Sequence, residues 1–182
     1  MRVSVLQKLF LAVALILPLA AAPAMAAEEG PDREEGLMDD ARIRTFGEFF
    51  PVQPEGWVRD QDPDIFLSEE ASTISYTYLS LTEGGVGFTI TITFSNTIAS
   101  QYKKMLRRKE ERATWGFDKT EIADWDALTS KERGVGEADF VVVVSNSRSV
   151  SIIPSSNIPL PPIADITRIF GALNFDGIAA KN

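Results

Sequence analysis

The sequence predicts an α+β domain: an antiparallel β-sheet of hairpins with one central and one C-terminal helix packed on it. Three observations carry this. Two alternating strand patterns, 72–81 and 86–95, flank a glycine-containing turn. One amphipathic helical pattern follows them directly. Further strand patterns then come in succession before a last helical pattern, in the order β-β-α-β-β-β-α. A doubly wound parallel sheet needs a helix after nearly every strand, and here there are too few.

The chain opens "MRVSVLQKLFLAVALILPLAAAPAMAA". Arg2 and Lys8 give a positive start, Leu9 to Leu17 is an unbroken apolar run, and Ala24-Met25-Ala26 fits the small-x-small rule for cleavage after Ala26. Residues 1–26 therefore read as a secretory signal, with an apolar core too short for a membrane span. The expected location is periplasmic or secreted. No Cys follows the cleavage region, so a lipid anchor at that position is excluded.

Without the signal the chain keeps 16 basic and 26 acidic side chains, a net charge of −10, since only Arg2 and Lys8 are lost. Such an acidic chain is poorly suited to nucleic acid, which needs surplus cations to neutralise phosphates. There is no Cys, so burial alone must hold an exported domain. There is no His either, which excludes Ser-His-Asp and Cys-His catalysis and imidazole metal sites. No cofactor is expected, and metal chemistry is narrowed to oxygen ligands.

Residues 27–42, from "AEEGPDREEGLMDDA" onward, are rich in charge and poor in apolar side chains, and read as a mobile acidic leader. A single α+β domain is expected over 43–182, opening with a short helix or strand near Ile43 to Phe50. Pro54-Glu55-Gly56 is turn chemistry, and Trp57 follows as an apolar anchor.

The run "STISYTYLSL" places Ile74, Tyr76 and Tyr78 on one face. "VGFTITITFS" places Phe88, Ile90, Ile92 and Phe94 on one side and Thr89, Thr91 and Thr93 on the other. With "TEGG" between them, these make a hairpin. Tyr76, Phe88 and Phe94 share a face and could floor a pocket or fill the core. Asn96 is expected to cap a helix running to about Ala113, with Ile98, Tyr102, Met105 and Leu106 at helical spacing. "KTEIADWDALTSKE" reads as a strand pair or one bent strand, with "GVGE" as a turn. "ADFVVVVSN" and "SRSVSIIPS" are further strands. A loop carries Pro159, Pro161 and Pro162, and a last helix spans about 162–173.

Four candidate sites emerge. The stretch "QYKKMLRRKEER" puts Lys103, Lys104, Arg107 and Arg108 opposite the Tyr102–Met105 stripe, with Lys109 and Arg112 beside them. It reads either as a solvated helix face or as a docking patch for an acidic protein, an anionic lipid surface or the chain's own leader. Pairing of Glu111 with Arg107 or Arg108 would relieve some of the repulsion. Asp60, Asp62 and Asp64 in "DQDPD" have the spacing that opens a calcium loop, but Ile65 and Ala71 stand where such a loop needs Gly and Glu. Ser100 and Lys103 match S-x-x-K without its companion motifs. Asp124 and Asp126 would share a strand face around Trp125, as an acid–base pair or as solvent-facing carboxylates.

The "PEGW" turn, the hairpin after it, the central helix and the terminal helix after paired strands together resemble the extrinsic photosystem II proteins of the PsbP type and their bacterial relatives. The resemblance spans most of 46–178. It implies an α+β fold and a non-enzymatic accessory protein docked on a larger complex; it transfers no individual functional residue. The leading expectation is accordingly an exported, non-catalytic interaction module of the cell envelope with a protein partner, not an integral membrane protein after signal cleavage. The alternatives are a periplasmic carrier holding a small apolar ligand between sheet and helix, and a carboxylate-based hydrolase.

Overall fold

The structure, a computed structural model, describes residues 38–131, 139–154 and 162–181. The signal segment 1–26, most of the leader and the "GVGE" turn lie outside the described residues. The expected α+β class is observed: the described residues form an eight-stranded, wholly antiparallel sheet with helices packed on it.

The first helix, α1 (Asp40–Arg44), begins inside the stretch expected to be leader. The Asp39 carboxylate accepts from the Arg42 amide, so an acid read as solvated charge is an N-cap. Met38 is already buried beside it. A 3-10 helix, Thr45–Phe49, continues the turn and buries Phe46.

Strands β1 (Trp57–Arg59) and β2 (Asp64–Leu67) were not expected. Both pair with β3 (Ser72–Ser80), one along each half of its outer side. They are three and four residues long, too short to show alternation. The expected hairpin is β3 with β4 (Gly87–Phe94), in register from Ser72↔Phe94 to Leu79↔Gly87.

The helical pattern after β4 forms two helices, α2 (Asn96–Arg107) and α3 (Lys109–Thr114). Ser95, and not Asn96, supplies the cap: its hydroxyl accepts from the Ile98 amide. Arg108 leaves the helical region at φ −115°, ψ 114° and ends the first helix where one continuous helix was expected.

A hairpin follows, β5 (Phe117–Ile122) with β6 (Trp125–Ser130), then β7 (Phe140–Val143) and β8 (Arg148–Pro154). β8 inserts beside β4, giving the order β1-β3-β4-β8-β7-β6-β5 with β2 also on β3. The last expected helix is α4 (Ile163–Gly171); it buries Ile166, Ile169 and Phe170, while Ile163 is exposed. A last helix, α5 (Phe175–Ala180), was not expected from "NFDGIAAKN". Asn174 caps it, and the buried Arg148 donates to its final carbonyls, Ile178 at 2.9 Å and Ala179 at 3.2 Å.

Period-2 alternation divides the sheet into two faces. Ile74, Tyr76, Tyr78, Phe88, Ile90, Ile92, Val150, Ile152 and Val142 join one large core with α1, the 3-10 helix, α4 and α5. On the opposite face Leu128 and Val141 meet Met105 of α2, with Tyr102, Leu106 and Phe117 around them. The central helix therefore covers the β5–β7 half of one face, and the C-terminal helices cover the other face. Thr91, on the threonine side of β4, is buried and shares a hydrogen bond of 3.0 Å with Ser75 across the hairpin.

Candidate docking surface

α2 turns its apolar side inward because Ala99, Tyr102, Met105 and Leu106 recur at helical spacing. Burying Met105 alone contributes about 2 kcal/mol. The cations are then forced outward. Lys104, Arg107, Arg108 and Lys109 are exposed, and Lys103 is half-buried.

The six cations have four different fates. Lys103 donates to Asn146 in the β7–β8 turn. Arg108 pairs with Glu111 at 3.7 Å; the two side chains are 66% and 41% exposed, so the pair is worth little. Arg107 makes no pair with Glu111, because the break at Arg108 shifts the phase between the helices. Arg112 turns back and donates to the carbonyls of Met105 at 2.9 Å and Leu106 at 3.3 Å. It thereby satisfies two of the orphan carbonyls at the end of α2. Lys104, Arg107 and Lys109 remain, exposed and without an ion pair among the described residues. Trp115, 52% exposed, follows α3.

The other candidates are dispersed. Asp64 lies in β2, and the Asp60 amide is held by the Thr77 carbonyl at 2.9 Å. Among the described residues no three acidic side chains come together as a metal site. Ser100 is exposed on α2, and its partner in the S-x-x-K pattern, Lys103, is turned to Asn146.

The pairing of Asp124 with Asp126 on one strand face is corrected. Ala123 and Asp124 form the β5–β6 turn, both with positive φ, 50° and 66°, so Asp124 is not in a strand. Asp126 is in β6 and pairs with Lys119 at 2.7 Å.

The aromatic face of the hairpin is filled. Phe94 packs on Phe46 at 4.7 Å, Tyr76 on Phe50 at 4.8 Å, and Phe88 lies 5.1 Å from Trp57. Burial holds the Tyr78 phenol protonated well above its ordinary range, and its hydroxyl donates to the Pro51 carbonyl at 2.9 Å. A cleft of about 320 Å³ lies at the sheet rim beside the "PEGW" turn. It is lined by Trp57 but also by Glu55, Glu83, Asp165 and Arg168. Arg168 spans it, with Glu55 and Asp165 each at 3.3 Å.

No protein-family model, curated protein or solved structure matches the chain. Among the described residues no helix is long and apolar enough to cross a membrane.

Proposed function

We propose that the protein is an exported, non-catalytic interaction module of the cell envelope. It docks on an acidic face of a larger protein complex through α2 and α3. The observation that carries this is the group of three exposed cations, Lys104, Arg107 and Lys109, that have no ion pair among the described residues of a chain of net charge −8. Charge of the minority sign, concentrated on one surface, steers a complementary partner and fixes its orientation. The accessory role implied by the PsbP-type resemblance agrees with this reading.

The rival readings have less support. A carrier needs open apolar space between sheet and helix, and the hairpin aromatics Tyr76, Phe88 and Phe94 are packed against other rings. The rim cleft is lined mostly by charged and polar side chains, which suits an apolar ligand poorly. A carboxylate hydrolase needs two convergent acids, and Asp126 is engaged by Lys119.

The test is in-cell crosslinking with mass spectrometry, comparing the native protein with a variant carrying Gln at 103, 104, 107 and 108. The expected result is one envelope protein captured by the native form and lost from the variant. Equal capture by both forms would remove the basic face from the account.

A further inference from the structure

The two edges of the sheet differ in kind. The edge on β3 is broken: β1 and β2 are separate short strands with Pro63 in the gap between them. An interrupted edge containing Pro resists pairing. The opposite edge, β5, is six residues long, contains no Gly or Pro and has β6 as its strand neighbour in the sheet order.

The β5–β6 turn fixes which way the β5 backbone faces. It has two residues, Ala123 and Asp124, and Ile122↔Trp125 closes it. In a two-residue hairpin the closing pair exchanges both hydrogen bonds, and bonded and non-bonded pairs then alternate. Ile122, Thr120 and Asp118 thus spend their backbone groups on β6. Glu121, Lys119 and Phe117 direct theirs outward from the sheet.

We propose that this edge is a self-association surface: two copies of the chain pair antiparallel through β5 about a two-fold axis perpendicular to the sheet and centred on Thr120. Such an axis keeps each sheet face continuous and requires the central residue to oppose itself. Centring on Asp118, Lys119 or Glu121 sets like charges opposite one another. Centring on Thr120 sets Lys119 of each copy opposite Glu121 of the other, twice. These are the residues whose backbone faces outward, so both pairs exchange main-chain hydrogen bonds. Thr120 meets Thr120 as a close, non-bonded pair, a favoured cross-strand combination.

Glu121 also has no ion pair among the described residues. Its cross-strand neighbour is Asp126, and the Lys119 beside them is paired to Asp126 at 2.7 Å. The second copy's Lys119 supplies the missing cation. Trp115, standing two residues before the strand and 52% exposed, is an aromatic of the kind that interfaces cover. This association does not depend on the docking role of α2 and α3.

Two measurements test it on the purified protein. The first is sedimentation equilibrium of the native protein, of Lys119→Glu, of Glu121→Lys and of an equimolar mixture of the two variants. The expected result is a native dimer, association at least tenfold weaker in each variant alone, and recovery in the mixture, where both cross-pairs are again opposite in sign. The second uses the absence of Cys from the chain. Thr120→Cys should form a disulfide-linked dimer on oxidation at least tenfold faster than Asp118→Cys or Glu121→Cys, because only residue 120 opposes itself within disulfide reach. A native protein that stays monomeric, or a mixture of folded variants that does not associate, overturns the proposal. Equal crosslinking rates at 118, 120 and 121 overturn the register.

Discussion

The Arg112 guanidinium donates to the Met105 carbonyl at 2.9 Å, seven residues back across the break between α2 and α3. The same nitrogen reaches Leu106 at 3.3 Å. One cation of the basic cluster is therefore structural: it ends one helix and sets the direction of the next. Arg112→Ala is expected to lower stability by about 1–2 kcal/mol, less than a fully buried charged hydrogen bond because the site is partly exposed. Arg112→Lys keeps the charge but loses the planar fork and should recover less than half of that. Urea denaturation of the three proteins measures both.

Burial holds the Tyr78 phenol above its ordinary pKa, with Arg59 pulling the other way. In the unfolded chain the phenol loses its proton near pH 10, while the folded chain keeps it. The unfolded state then binds fewer protons, so stability is intact below about pH 10 and falls as pH rises beyond it. Tyr78→Phe is expected to lose about 1 kcal/mol at neutral pH with the hydrogen bond to Pro51. It should also show a flatter alkaline decline, by up to about 1.4 kcal/mol per pH unit. Denaturation midpoints from pH 8 to 11 read the difference; parallel curves would contradict it.

The β5–β6 turn places two non-glycine residues at positive φ, Ala123 at 50° and Asp124 at 66°. Both carry a left-handed penalty that Asn and Gly largely avoid. The double change Ala123→Asn, Asp124→Gly is expected to stabilise the protein by about 1 kcal/mol, read as a rise in thermal midpoint.

These same residues show what the sequence could and could not reveal. The β3–β4 hairpin was legible because its alternation runs through both strands and Gly84 and Gly85 mark the turn. The turn at Ala123-Asp124 carries no Asn-Gly or Asp-Gly signal, so its hairpin could be read only as a strand pair or a bent strand, and Asp124 was given a strand face it does not have. β1 and β2 are short edge strands whose existence depends on β3 as a template. α5 is a six-residue helix held by Asn174 and by Arg148 from β8, a contact far away in sequence.

The basic face was legible from helical periodicity: of the four cations read on the outer side, Lys104, Arg107 and Arg108 are exposed and Lys103 is half-buried. The break at Arg108 was not, because Arg is a good helix former and the residues around it continue the helical pattern. Nor could the sequence separate the cations already in use from those left over. Lys103, Arg108 and Arg112 find partners only once the β7–β8 turn and the second helix are in place.

The most direct test of the docking account is zero-length carboxyl–amine crosslinking in the cell, mapped residue by residue. Links from one partner's Asp and Glu side chains should concentrate on Lys103, Lys104 and Lys109 over Lys119, Lys131 and Lys181. They should fall several-fold in an Arg107→Gln, Arg108→Gln variant, which retains every reactive lysine. Links spread evenly over all six lysines, or unchanged in the variant, would contradict the assignment of α2 and α3 as the docking surface.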